Sequence, residues 1–231
     1  MNGFYEGCFF CALAKETPRP EKCFECACPE VVRQSWIYSF GLYFARYQRQ
    51  HTTSQWSQAI VLAKRCCFPL IGAFGRMLSF YFTSRLPDLR PCLITSVPSF
   101  SADFGLFRGY TSFTTRLLLD AVAGAVEDDD WMIAHDLLVQ SREKPVKQHR
   151  CRSDGERKKN IHGIYTLPDA RMVSGRNIIL LDDVVTSGAT LAECRRVLHQ
   201  AGARSVTALT LARTARKKEN HTLDKQEVNV M

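Results

Sequence analysis

Nowhere in the 231 residues is there an uninterrupted apolar run near the ~20 residues that cross a bilayer, so no membrane span is expected. The opening stretch, MNGFYEGCFFC, lacks a basic segment followed by an apolar one, and no export signal is expected from it. There is no internal repeat, and the six histidines are scattered without metal-ligand spacing. Disorder and collagen-like structure are excluded by composition, since 45% of residues are hydrophobic and only 23% charged. Acid is the scarcer charge: 23 Asp and Glu stand against 31 Lys and Arg, a net +8. That excess favours a polyanionic partner, either a phosphorylated small molecule or nucleic acid. A chain of this length holds one ordinary domain and a small accessory one.

Aliphatic mass is what residues 1–35 have little of. They are rich in Cys, Pro and Glu and too poor in apolar side chains to make a core of their own. Five of the ten cysteines crowd into the first 28 residues, whereas a disulfide scaffold spreads them through a short secreted chain. Cys8-x2-Cys11 and Cys23-x2-Cys26 present two chelating thiolate pairs, and four sulfurs complete a tetrahedron suited to zinc. Cys28 is an alternate to Cys26 as the fourth ligand. A closed four-sulfur site has no open coordination position, so its role is structural. Disulfide pairing is the alternative; the crowding and the missing export signal favour zinc and a cytoplasmic protein. Cys92, Cys194, Cys66 and Cys67 read as small buried hydrophobes, and Cys151 as an exposed thiol with no assignable base.

Downstream, periodic segments begin. Helical spacing predicts helices over 54–64 (Trp56, Ile60 and Ala63 on one face), from Pro69 (Leu70, Phe74, Met77, Leu78, Tyr81), over 114–126 and over 191–201. Gly202 stops the last of these. Short buried strands are expected at 92–97, 177–181 and 206–211, with another at 135–140. The acidic run 127–130 reads as a solvated turn. Residues 142–159 hold eight Lys or Arg against three Asp or Glu and almost nothing apolar, which predicts a mobile surface loop. Strand, tight loop, helix and strand in this order make a βαβ unit, hence an α/β fold with a parallel sheet covered on both faces. Ligands of such sheets bind beyond the carboxyl ends of the strands.

Beyond Leu181 stands Asp182-Asp183-Val184-Val185-Thr186-Ser187-Gly188-Ala189-Thr190. The glycine lets backbone amides converge on an anion. The helix N-terminus adds positive potential, and the hydroxyls of Thr186, Ser187 and Thr190 can donate to a phosphate monoester. The two acids need a neutral, donor-rich group, and a ribose 2′,3′-diol is one. A structural turn capped by an Asp is the alternative, and it would need one acid rather than two.

Residues 178–190 resemble the signature of the type I phosphoribosyltransferases: four apolar residues, two acids, two apolar residues, then hydroxyls, glycine and threonine. The resemblance implies that the loop holds the 5′-phosphate of phosphoribosyl pyrophosphate and that Asp182 and Asp183 bind the ribose hydroxyls. The flanks are similar to the ComF family in particular: Val97-Pro98, Arg108-Gly109-Tyr110, Gln148, Glu156-Arg157, Asn160, Gly163 and Tyr165 upstream, Ala201-Gly202-Ala203 and residues 209–213 downstream. Thr111 replaces that family's usual Asn, and Cys66-Cys67 interrupt its usual LKYRG stretch. ComF relatives also carry a similar N-terminal zinc module.

The expected organisation is a zinc-binding module at 1–35, a phosphoribosyltransferase-like domain at 36–213 and a polar tail at 214–231. The resemblance implies binding of phosphoribosyl pyrophosphate with Mg²⁺ and a part in DNA uptake during natural transformation. The alternative is an active phosphoribosyltransferase of nucleobase or nucleotide metabolism. Arg157 and Lys158 are the candidates for catalytic contact with the leaving pyrophosphate, against the plain reading of a solvated basic segment. Single-stranded DNA and DNA-uptake proteins are candidate partners. Aromatics among basic residues (Trp36, Tyr38, Tyr43, Phe44, Tyr47) read either as base-stacking groups or as a packed face.

Overall fold

The computed structural model describes residues 32–45, 48, 54–98, 113–141 and 153–215. The cysteines expected to hold zinc and the polar tail beyond residue 215 lie outside them. Nine strands and five helices follow one another in the described residues: β1 (Val32–Gln34), β2 (Ile37–Ser39), β3 (Leu42–Tyr43), α1 (Gln55–Lys64), α2 (Phe68–Arg85), β4 (Cys92–Ser96), α3 (Phe113–Ala123), β5 (Trp131–Ile133), β6 (Val139–Gln140), α4 (Asp154–Ile161), β7 (Tyr165–Thr166), β8 (Asn177–Val185), α5 (Ala189–Gln200) and β9 (Ser205–Thr214).

Seven strands form one sheet in the order β1-β2-β9-β8-β4-β5, with β3 also paired to β9. Every pairing in it is parallel except β1 with β2. Strands β6 and β7 make a separate antiparallel ribbon. The centre is β8, in register with β4 (Ile179 opposite Ile94) and with β9 (Leu181 opposite Leu209). Its run Asn177-Ile178-Ile179-Leu180-Leu181 is buried throughout, because helices cover both faces and each alternate side chain enters a core. Ile179 and Leu181 join Ile60, Phe74, Phe82 and Leu118 from α1, α2 and α3. Ile178 and Leu180 join Ile161, Leu191, Cys194 and Leu198 from α4 and α5 on the opposite face.

Local chemistry explains the element ends. Ser54 caps α1, its hydroxyl accepting from the Ser57 amide at 3.2 Å. Trp56, Ile60 and Ala63 face inward as expected. The two helices α2 and α3 approach so closely that a Cβ on Gly75 would lie 2.5 Å from the Ala121 Cβ.

Three expectations change. Within 135–140 only Val139–Gln140 is strand, and Asp136 occupies a left-handed turn at φ 56°. The neighbouring strand is β5, three residues at the end of the acidic run, too short for a periodic signal. The basic stretch is not a continuous loop: residues 154–161 form α4. The Ser153 hydroxyl caps it by accepting from the Glu156 amide at 3.1 Å, and buried Asn160 and Ile161 anchor it. Glu, Arg and Lys are good helix formers, so one cap and one apolar anchor suffice despite the polarity. Finally, β8 continues through both acids to Val185.

Candidate functional site

Strand β8 ends at Val185, and residues 186–188 turn the chain into α5. Gly188 is the N-cap, at φ 73° and ψ 4°, a left-handed conformation that glycine adopts without a Cβ clash. It brings no capping side chain, and the first turn of α5 contains no acid. The first α-type helical bond runs from Ala192 N to Gly188 O at 2.9 Å, so amides before Ala192 are not consumed by the α-helical ladder. The Ser187 hydroxyl leans toward one of them, Ala189 N, at 3.4 Å. A small open cleft lies over this turn, lined by Asp182, Val184 to Thr190 and Leu191. Amide donors, a helix N-terminus and three hydroxyls around one cleft are the groups with which a protein can cradle an anion.

The two acids sit differently. Asp182 lines the cleft. Asp183 does not; its Oδ2 lies 3.0 Å from the Lys64 ammonium at the end of α1. Strand alternation explains the split, since neighbouring side chains leave opposite faces of a sheet. Each acid also accepts from the next amide, Asp182 from Asp183 N at 2.9 Å and Asp183 from Val184 N, which orients both carboxylates. Burial opposes the charge on Lys64. Asp183, by charge and hydrogen bond, outweighs it, Asp182 and Tyr43 add to the effect, and the ammonium stays above its ordinary value.

Beneath the cleft lies Tyr165 of β7, a buried phenol. Burial above all pushes its pKa up; neighbouring Cys194, Asp182 and Glu193 push the same way, while a hydrogen bond with Thr190 pulls it down. Glu193, one turn further along α5, is 6% exposed. It accepts from the Gly163 amide at 2.7 Å and pairs with Arg196 at 2.6 Å, and His162 Nδ1 lies 3.5 Å away. That carboxylate fastens the α4–β7 turn to α5.

Arg157 and Lys158 lie on α4, on the same side of the sheet as α5. Arg157 is half-buried and Lys158 exposed. The aromatics divide toward the packed-face alternative: Phe44 is buried, Tyr38 and Tyr43 pack on the first core, and Trp36 packs on the second core with the Arg195 guanidinium 4.7 Å from its ring centroid. Tyr47 lies outside the described residues. Among the described residues no group of three or more His, Cys, Asp or Glu is arranged to hold a metal ion. The sequence signal did not single out Lys64 or Glu193, because each acts on residues far away in the chain.

Comparison with known proteins finds a match over part of the chain. Residues 135–230 match the phosphoribosyl transferase domain. That match takes in α4, β8, the Gly188 turn and α5, so the turn lies inside the matched segment. Ribose-phosphate pyrophosphokinase 2 of Archaeoglobus fulgidus is 34% identical over 80 residues, 33% of this chain. The match spans 30% of that protein's length. Among solved structures, the allosteric regulatory enzyme of purine biosynthesis overlaps 61% of this chain and 25% of its own, at 18% identity and a TM-score of 0.37. A hypoxanthine phosphoribosyltransferase of Staphylococcus aureus overlaps 64% and 67%, at 14% identity and a TM-score of 0.35. Scores this low add nothing to the strand order, on which the α/β assignment stands.

Proposed function

We propose that the cradle binds phosphoribosyl pyrophosphate, with the 5′-phosphate on the amides and hydroxyls of residues 186–190 and the ribose hydroxyls donating to Asp182. The observation that carries this reading is the Gly188 turn, which aims first-turn amides of α5 into a cleft that also contains a carboxylate. The phosphate charge is complemented by the helix N-terminus, and the carboxylate answers the diol rather than the phosphate. Mg²⁺ commonly takes one or two carboxylates, with substrate phosphates completing its shell. The absence of a three-ligand cluster among the described residues suits an ion that arrives with pyrophosphate, whose charge it would neutralise.

Transfer would break the bond between the anomeric carbon and pyrophosphate through a cation-like transition state, and Arg157 and Lys158 are the proposed contacts for the departing group. The ComF resemblance directs this site to DNA uptake in natural transformation, in the cytoplasm, with a structural zinc at Cys8, Cys11, Cys23 and Cys26 or Cys28. Pentosyl transfer to a nucleobase or nucleotide precursor is the alternative, and the domain match favours it equally.

Thermal-shift titration tests the common core of both. Phosphoribosyl pyrophosphate with Mg²⁺ should raise the melting temperature of the wild type, and Asp182→Asn should remove the shift; no shift at millimolar ligand rejects the reading. Pyrophosphate release across a nucleobase panel separates transferase from binder. Affinity for single-stranded DNA that falls steeply with salt supports the uptake role, and undetectable binding removes it.

A further inference from the structure

The sequence presents Asp182 and Asp183 as equals, and the structure does not. Asp182 lines the cleft. Asp183 is 19% exposed and engaged by Lys64 at 3.0 Å, and the Lys64 ammonium also feels the charge of Asp182. Lys64 is the last residue of α1, at the helix end where a cation is favoured. The buried hydrogen bond from Trp56 Nε1 to Leu211 O, 3.0 Å long, fastens that helix to β9. The ammonium is thus delivered from a fixed support.

We infer that the two acids have separate duties: Asp182 is the sugar-facing carboxylate, and Lys64 is a positioning residue that cancels Asp183 in place, so that a dianionic sugar phosphate meets one negative side chain instead of two. This rests on the sugar-phosphate reading of the cleft. Two uncancelled carboxylates at the strand tip would repel the phosphate; the ammonium removes that repulsion.

The consequences have opposite signs. With ribose 5-phosphate as probe, followed by calorimetry without metal, Asp182→Asn weakens binding while inorganic phosphate binding is retained. Lys64→Met weakens ribose 5-phosphate binding about tenfold by unmasking Asp183. Lys64→Arg restores it. Asp183→Asn, which leaves the ammonium uncancelled, tightens binding. The Lys64→Met/Asp183→Asn double variant returns close to wild type. A loss in Asp183→Asn equal to that in Asp182→Asn overturns the division of duties. Should the wild type bind neither ribose 5-phosphate nor phosphoribosyl pyrophosphate, the sugar-phosphate reading falls, and a double-mutant cycle over Lys64→Met and Asp183→Asn, followed by urea denaturation, still decides the role of Lys64. The double variant should lose less stability than the sum of the two single variants. Purely additive losses overturn it.

Discussion

Glu193 shows how much one side chain organises around the cradle. Hydrogen bonds from Arg196, first, hold its carboxyl below the ordinary value of 4.5. Burial works against them, and the Gly163 amide and the charges of Arg196 and His162 add to them. A carboxyl depressed on folding stabilises the protein fully above its unfolded value, and that stability is lost as pH falls through the lower folded value. Glu193→Gln should therefore cost about 1–3 kcal/mol at neutral pH. In urea titrations the gap from wild type should stay constant down to about pH 4.5 and close below it; a gap independent of pH would contradict the assignment. At the cradle itself, Gly188→Ala places a Cβ in a left-handed conformation at about 1–2 kcal/mol. It should lower stability by that amount and weaken sugar-phosphate binding, measured by denaturation and calorimetry on one preparation. The two acids, the hydroxyls and Gly188 of the proposed phosphate loop were legible as one segment, because chemistry within ten residues carries that signal. Lys64 and Glu193 were not, since Lys64 meets Asp183 and Glu193 meets Gly163, partners distant in sequence.

At the scale of elements, amphipathic spacing found α1, α2, α3 and α5 to within a few residues, and the run of apolar residues found the core of β8. Helix α4 escaped because its polarity resembles that of a loop; its cap and its anchor at Ile161 are single residues that no periodicity reports. The end of β8 escaped for a related reason: Asp182 and Asp183 break the apolar run, yet pairing with β9 extends to Val185 opposite Arg213. The crossing of α2 and α3 is invisible in sequence altogether. Gly75→Ala puts its new carbon 2.5 Å from Ala121 Cβ and 2.7 Å from the Ala121 backbone. The helices must separate, at about 1–3 kcal/mol, despite the better helix propensity of alanine. A Gly75→Ala variant as stable as wild type in urea would show that the crossing tolerates a methyl group.

Across the whole molecule, β8 is shared by two apolar clusters, one on each face, and its tip carries the cradle. Ligand binding at that tip should therefore stabilise both clusters together. At a hundredfold excess over Kd, a ligand specific for the folded state adds about 2.7 kcal/mol. The urea midpoints by tryptophan fluorescence and by far-ultraviolet circular dichroism should then rise in step; transitions that separate would mean that the clusters unfold independently. What the order of residues determined by itself was the α/β class, the buried strand and the loop with its glycine, hydroxyls and acids, because each is written in neighbours whose spacing matches a local geometry. What only the tertiary structure decided was which acid faces the cleft. Strand alternation aims Asp182 and Asp183 apart, and Lys64, brought from a helix more than a hundred residues earlier, engages Asp183 and leaves Asp182 to the cleft.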